Sequence, residues 1–339
     1  MEEAPANTPT RASHARLEHP SAPIPVQGPA LGSFVREQFG DTDLSIFPVM
    51  LGGSEFGWTI DQARADALLD HFHAIGGNAV HTADSFAAGR SEHILGRWIR
   101  RRKVRDDVVL AVRVGDHPDN PGLGSINLVR AVESSLTRLA TDRIDVLYLD
   151  GTAEPVESLE DTLATAEWLI ETGKVRYVAS HGLTAEQLVE ARILSSAGYP
   201  RLVAVDVPYN LMRRAEFEGD LRLVAGAQGI AVTPSQALEH GFLSGRHRSR
   251  QEVATSARGR LLAGALNRRG ARVLKALDAI SAELGVSHAA IAVAWLLSQR
   301  SVVAPIVNVH SPAQLDELVQ GVGVRLTRAH LSELARAAE

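Results

Sequence analysis

With 339 residues, 45% of them hydrophobic and 22% charged, the chain can bury a sizeable core in one large or two small domains. A net charge of −5 without long basic runs argues against nucleic-acid binding, and the lack of cysteine excludes disulfides, a thiolate nucleophile and thiolate metal ligands. No apolar stretch approaches the ~20 residues of a membrane span, and the start Met-Glu-Glu lacks a signal-peptide pattern, so a cytoplasmic protein with no membrane partner is expected.

Residues 1–33 are rich in Ala, Pro, Ser and Thr without periodicity, which predicts a disordered tail. The ordered domain is predicted over 34–339. In chain order it reads as a strand at Phe47–Leu51, then a helix capped by Thr59 with Gln62 three residues on. A strand at Asn78–Thr82 precedes a helix from Ser91, whose end carries the run Arg100 to Arg105, read as a solvated helix terminus. Strands at Val108–Val114 and Ile144–Leu149 precede helices from Ser125 and Ser158. The strand Val175–Ser180 leads to a helix capped by Thr184 with Gln187, and Leu202–Val207 to one near Glu216. Gly229–Thr233 and Ser301–Val307 bring the strand-like runs to eight, and residues 235–266 form a long polar excursion of the kind that shapes a site. Trp168 and Trp295 sit at apolar helix spacing and are expected in the core, whereas Asp70, His71 and His73 are expected at the surface.

The strands are nearly continuous apolar runs, as parallel strands covered on both faces must be. Their alternation with helices suits either an eight-unit β/α barrel or an open doubly wound sheet. No Gly-x-Gly-x-x-Gly follows any strand, which favours the barrel.

Residues 76–89 read Gly-Gly-Asn-Ala-Val-His-Thr-Ala-Asp-Ser-Phe-Ala-Ala-Gly, followed by Arg-Ser-Glu-His-Ile-Leu-Gly-Arg. With residues 132–149, Gly173 to Ser180, Gly241-Phe-Leu-Ser-Gly and Ala294-Trp-Leu-Leu, this run strongly resembles the aldo-keto reductase family along the whole ordered chain. The resemblance implies an α/β fold of (β/α)8 TIM-barrel type with its site at the C-terminal mouth. It also implies carbonyl reduction by a nicotinamide cofactor, with a tyrosine proton donor, a lysine, an aspartate and a histidine. Here Phe86 stands at the tyrosine position, Arg113 at the lysine, His81 at the aspartate and Asp150 at the histidine. Phe86 has no proton to give, and Arg113 is too basic to exchange one.

At the family's cofactor positions stand Ser180 and His181 for a serine–asparagine pair, Asp206 for a glutamine and Ser235 for the stacking ring. Gln314 and Glu317 are retained, Leu318 replaces an asparagine, and Arg246 could meet a pyrophosphate. The expectation is therefore no cofactor, with residual NADP(H) binding as the alternative.

His81, Arg113, Asp150, His181 and Asp206 keep ionisable groups at strand ends, and the old aspartate and histidine look exchanged. His81 is read as a general base oriented by Asp150, Arg113 as an electrostatic clamp, and His181 and Asp206 as further acid–base or binding groups. Trp58, Phe86, Asp84, Tyr209, Glu239 and His240 are candidates for substrate contact, Tyr209 also as a replacement phenol. The plainer readings are that Arg113 and Asp150 form a satisfied ion pair, Asp84 caps a turn, and Glu239 and His240 belong to a loop surface. Imidazole and carboxylate groups suit zinc or manganese, but no His-x-His spacing occurs and Arg113 opposes a cation, so no metal is expected. The expected activity is non-redox acid–base catalysis (isomerase, dehydratase or cyclase) on a small carbonyl or polyol-derived molecule. A non-catalytic ligand- or partner-binding protein and an atypical NAD(P)H-dependent oxidoreductase stand as alternatives.

Overall fold

The computed structural model describes residues 35–155, 157–254 and 259–339, so the predicted tail and its boundary at residue 34 lie outside the described residues. Eight parallel strands form the sheet: β1 Met50–Gly52, β2 Ala79–Ala83, β3 Val109–Val114, β4 Ile144–Asp150, β5 Val175–His181, β6 Leu202–Pro208, β7 Ala231–Ser235 and β8 Ile306–Val307. Their spatial order is β7-β6-β5-β4-β3-β2-β1-β8. The ring nearly closes where Val232 N donates to Ser301 O at 2.8 Å and Val303 N donates to Val232 O at 3.0 Å. The fold is a (β/α)8 barrel of the type the sequence pattern implied.

Side-chain size explains how the barrel fills. Its interior cluster is built largely from alanines (Ala79, Ala111, Ala179, Ala204, Ala231), with Met50, Val146, Tyr148 and Ile306. Small residues leave room for the Tyr148 ring, whose hydroxyl meets Thr233 Oγ1 at 3.0 Å across the barrel. A hairpin of Glu37–Gln38 and Ser45–Ile46 precedes the barrel, and Phe39, Leu44 and Ile46 join the same interior cluster. A second, larger apolar cluster packs the outer faces of the strands against the helices.

The helices are α1 Gln62–Ala74, α2 Arg90–Arg102, α3 Ser125–Leu139, α4 Leu159–Glu171, α5 Ala185–Ser196, α6 Asp220–Gln228, α7 Arg250–Ala254, α8 Gly259–Ala263, α9 Arg268–Leu284, α10 His288–Leu297, α11 Pro312–Gly323 and α12 Arg328–Ala338. The Thr184–Gln187 capping box forms as predicted. Thr59 does not cap α1, because its hydroxyl donates to the buried Glu55 carboxylate and Asp61 takes the cap. α6 begins at Asp220 rather than near Glu216, since Glu216 and Glu218 are held in a turn by Arg213 and Arg214. Trp168 is 45% exposed, contrary to the core assignment, with the Lys174 ammonium 5.9 Å from its ring centre. Trp295 is buried as expected. Among the described residues no single helix is long and apolar enough to cross a membrane.

Candidate active site

A cavity of about 780 Å³ opens at the C-terminal ends of the strands. Its floor is formed by His81 from β2, Arg113 from β3, His181 from β5, Asp206 from β6, and Ser235 with Gln236 at the end of β7. Phe86, in the turn after β2, makes one wall. Trp58, Leu238, His240 and Leu261 line it further out. Four of the five predicted ionisable residues therefore meet in one cavity, and Asp150 does not line it.

The carboxylate that pairs with an imidazole is not the one the exchanged positions suggested. His181 Nδ1 lies 2.8 Å from Asp206 Oδ2, and the two residues are register partners on β5 and β6. Burial pushes the Asp206 carboxyl up, but the His181 hydrogen bond and the charges of His181 and His81 outweigh it and hold Asp206 below the ordinary carboxylate range. Asp150 is instead turned onto its own loop, where Oδ1 accepts from Thr152 N at 3.0 Å and Thr152 Oγ1 at 2.6 Å. Its other oxygen, Oδ2, lies 3.4 Å from Arg113 Nε. The predicted His81–Asp150 pair is thus replaced by His181–Asp206 and by the plainer Arg113–Asp150 ion pair.

His81 is packed edge-on against Tyr148, with ring centres 5.5 Å apart, and against Phe86 at 6.2 Å. Burial drives its imidazole down to about 4, with Asp206 opposing and Arg113 and His181 reinforcing that shift. A ring kept neutral by burial, with Asp150 turned onto Thr152, lacks the carboxylate partner expected to orient it as a general base. The Arg113 guanidinium carbon sits 5.6 Å from the Phe86 ring centre, so the ring at the tyrosine position has become a platform for a cation.

Three of the expected substrate contacts are structural. Tyr209 is fully buried against Phe217 and Trp295 and donates its hydroxyl to Glu218 at 2.8 Å, which removes it as a replacement phenol. Asp84 is sealed from solvent and accepts from Gly115 N at 3.3 Å, consistent with the turn-capping reading. Glu239 accepts from Asn210 Nδ2 at 2.9 Å and Arg213 Nε at 2.8 Å, away from the cavity wall. Ser180, placed among the cofactor contacts, is fully buried and is not a wall residue either.

At the far end of the cavity, Arg246 bonds both Glu317 oxygens, at 2.8 and 2.9 Å, and Gln314 Oε1 accepts from His310 N at 2.8 Å. Asn308 and Gln236 were missed by sequence reasoning. Asn308 Oδ1 accepts from Ser54 N at 3.3 Å and lies so close over Gly52 that a Cβ there would collide with it. No spacing signal announces either residue, since each falls in a loop whose conformation alone brings it to the wall. Among the described residues no group of three or more histidines and carboxylates is arranged to hold a metal ion.

A sequence model of the aldo/keto reductase family matches residues 48–339. The chain belongs to the aldo/keto reductase family. It is 27% identical over 314 residues to norsolorinic acid reductase B of Aspergillus parasiticus, covering 87% of this chain and 82% of that protein. It is 30% identical over 282 residues to a probable voltage-gated potassium channel subunit beta of Oryza sativa subsp. japonica, covering 79% and 85%. With the putative aryl-alcohol dehydrogenase AAD14 of Saccharomyces cerevisiae it shares 26% identity over 313 residues, covering 86% and 83%.

These relatives correct two expectations. They are named predominantly as reductases and dehydrogenases, which overturns the non-redox isomerase, dehydratase or cyclase reading and the idea of a pseudo-reductase. They also overturn the expected absence of a cofactor, because aldo/keto reductases work with a nicotinamide. The residues present fit that group. Gln236 Oε1 is a buried wall atom without a hydrogen-bond partner among the described residues, and Asp206 Oδ1 and Ser235 Oγ beside it make no well-formed bond beyond a weak approach of the Ser235 hydroxyl to the Asp206 carboxylate. Two acceptors and a hydroxyl complement the N–H and C=O groups of a carboxamide, and buried polar groups of this kind call for a partner.

Proposed function

We propose that this protein is a nicotinamide-dependent carbonyl–alcohol oxidoreductase in which His181, held by Asp206, replaces the tyrosine as the proton-handling group. The observation that carries this reading is the 2.8 Å His181–Asp206 pair in the cavity of a family barrel whose tyrosine position is Phe86. Asp206, Ser235 and Gln236 would hold the carboxamide, with Arg246, Gln314 and Glu317 toward the other end of the cofactor. Reduced nicotinamide, bound there, supplies a hydride.

The side chains supply the rest. Asp206 fixes the His181 ring with Nδ1 directed at the carboxylate, which leaves Nε2 as the nitrogen for exchange with substrate. In reduction, doubly protonated His181 gives the Nε2 proton to the oxygen that was the carbonyl, and solvent at the cavity mouth restores it. In oxidation the same nitrogen takes the alcohol proton. His81, kept neutral by burial, can offer one ring N–H to polarise the carbonyl without competing for the proton. Phe86 and Tyr148 shield it from water.

The test measures binding of NADH and NADPH by tryptophan fluorescence, then cofactor oxidation with aldehydes, ketones and oxo acids. Turnover should appear in wild type and fall by roughly 10²–10⁴ in His181→Gln, with cofactor affinity changed far less. Equal turnover in the variant would remove His181 from proton transfer. Failure to bind either dinucleotide would remove the oxidoreductase reading.

A further inference from the structure

We infer that Arg113 is a carboxylate-recognising residue and that the substrate is a 2-oxo acid, or the matching 2-hydroxy acid, bearing an apolar or aromatic tail. The inference deepens the oxidoreductase reading and rests on it.

The first support is the state of the guanidinium. Arg113 lines the cavity, and its closest approach to Asp150 is from Nε, at 3.4 Å. Its Nε is buried without a hydrogen-bond partner, and no side-chain hydrogen bond of the guanidinium to a described residue is present although the side chain is only 16% exposed. Asp150 cannot turn further toward it without giving up the two bonds from Thr152. Asp150 on one side and the Phe86 ring on the other thus fix the guanidinium plane while leaving its terminal N–H groups uncommitted. A planar fork of N–H donors, held still and partly dehydrated, matches the two oxygens of a carboxylate.

The second support is the charge around it. Arg113, Asp206 and His181 line the same cavity floor as His81, so these ionisable groups share one small volume. With the Asp150 carboxylate already beside Arg113, each added negative charge is costly, which favours a monoanion over a dianion. A phosphate dianion would face the Asp206 carboxylate with one arginine to hold it. A carboxylate adjacent to the carbonyl is the arrangement that lets one small molecule engage the Arg113 fork and the His81–His181 side of the same floor.

The third support is the mouth. Trp58 and Leu261 line the cavity and are 61% and 54% exposed, large apolar surfaces with no protein partner over them among the described residues. With Leu238 they offer an apolar wall to whatever extends from the reacting end.

The probe is benzoylformate against its methyl ester, two molecules with the same carbonyl and ring that differ in the charge at issue. Binding to the purified full chain is measured by titration calorimetry, and turnover by NADH or NADPH oxidation. The acid should bind roughly 10- to 100-fold more tightly than the ester. That preference should collapse toward unity in Arg113→Gln and be partly kept in Arg113→Lys, which preserves the charge beside Asp150 should the neutral variant fold poorly. Equal affinity of wild type for acid and ester would overturn the inference even if both were reduced. An acid preference that disappears with Arg113 supports it even if neither molecule is turned over, and that second result would count against the oxidoreductase reading alone.

Discussion

His181 and Asp206 occupy matched positions on adjacent strands, and their side chains meet at 2.8 Å in the floor of the barrel mouth. Asp150 is the register partner of His181 on the other side, yet its carboxylate is taken by Thr152 and Arg113. One imidazole between two carboxylates has been claimed by one of them, and that choice sets where a proton can be handled.

Asp206→Asn keeps the size of the side chain and removes its charge. It should lower kcat/KM by about 10²-fold or more, because an amide no longer selects the Nδ1–H tautomer or balances a charged ring. Steady-state kinetics across pH check this. An unchanged rate would show that the pair is only structural.

His81 has a folded-state value near 4, depressed from the ordinary 6.5 by burial. A depressed value means stabilisation that is fully present above 6.5 and lost as pH falls from 6.5 toward 4, where the unfolded chain binds the proton first. Over that window the wild type should lose on the order of 3 kcal/mol that His81→Asn does not. Urea unfolding at pH 7.5, 6, 5 and 4 reads the difference, and parallel acid limbs would refute it.

Asp84 has the opposite sign. Its carboxyl is pushed up to about 7, first by burial and then by the neighbouring Glu92, against the help of the Gly115 N–H. A raised value means stability that is present below the ordinary carboxylate range and lost as pH rises through 7. Asp84→Asn, whose carbonyl can still accept from Gly115, should raise the melting temperature by several degrees at pH 8 and change it little at pH 4. Equal effects at both pH values would show that charge is not the cause.

Gly52→Ala should be destabilising by about 1–3 kcal/mol, since the added methyl meets Asn308 Oδ1 and Cγ. Part of the loss should return in Gly52→Ala/Asn308→Gly, a non-additivity expected only of touching groups. Denaturant midpoints of the four proteins close the cycle, and strict additivity would deny the contact.

Tyr209→Phe removes the phenol that follows the sixth strand. The hydroxyl serves Glu218, which also holds Arg214, so stability should fall by about 1 kcal/mol while turnover stays within a factor of two or three. A collapse of turnover at unchanged stability would restore the phenol as a proton donor.

Much of the fold was legible because it depends on local pattern. Apolar runs such as Ile144–Leu149 can be buried on both faces only in a covered parallel sheet, and Thr184 with Gln187 satisfies the first turn of its helix wherever that helix packs. The errors arose where a partner distant in space or in another turn outcompeted the local one. Glu55 took the Thr59 hydroxyl from the helix cap, and Lys174 covers an exposed Trp168 whose spacing looked like core.

For the site, residue identity alone removed the tyrosine chemistry, since phenylalanine at 86 has no proton in any conformation, and it placed five ionisable groups at strand ends. Which of them share a cavity, and in what pairs, was a matter for the tertiary structure. A strand position sets where a Cα stands, but the turn at Thr152, the ring of Phe86 and the burial around His81 decide where each side chain points and whether it carries charge. Those directions depend on competition among groups from different strands, which no single stretch of sequence contains.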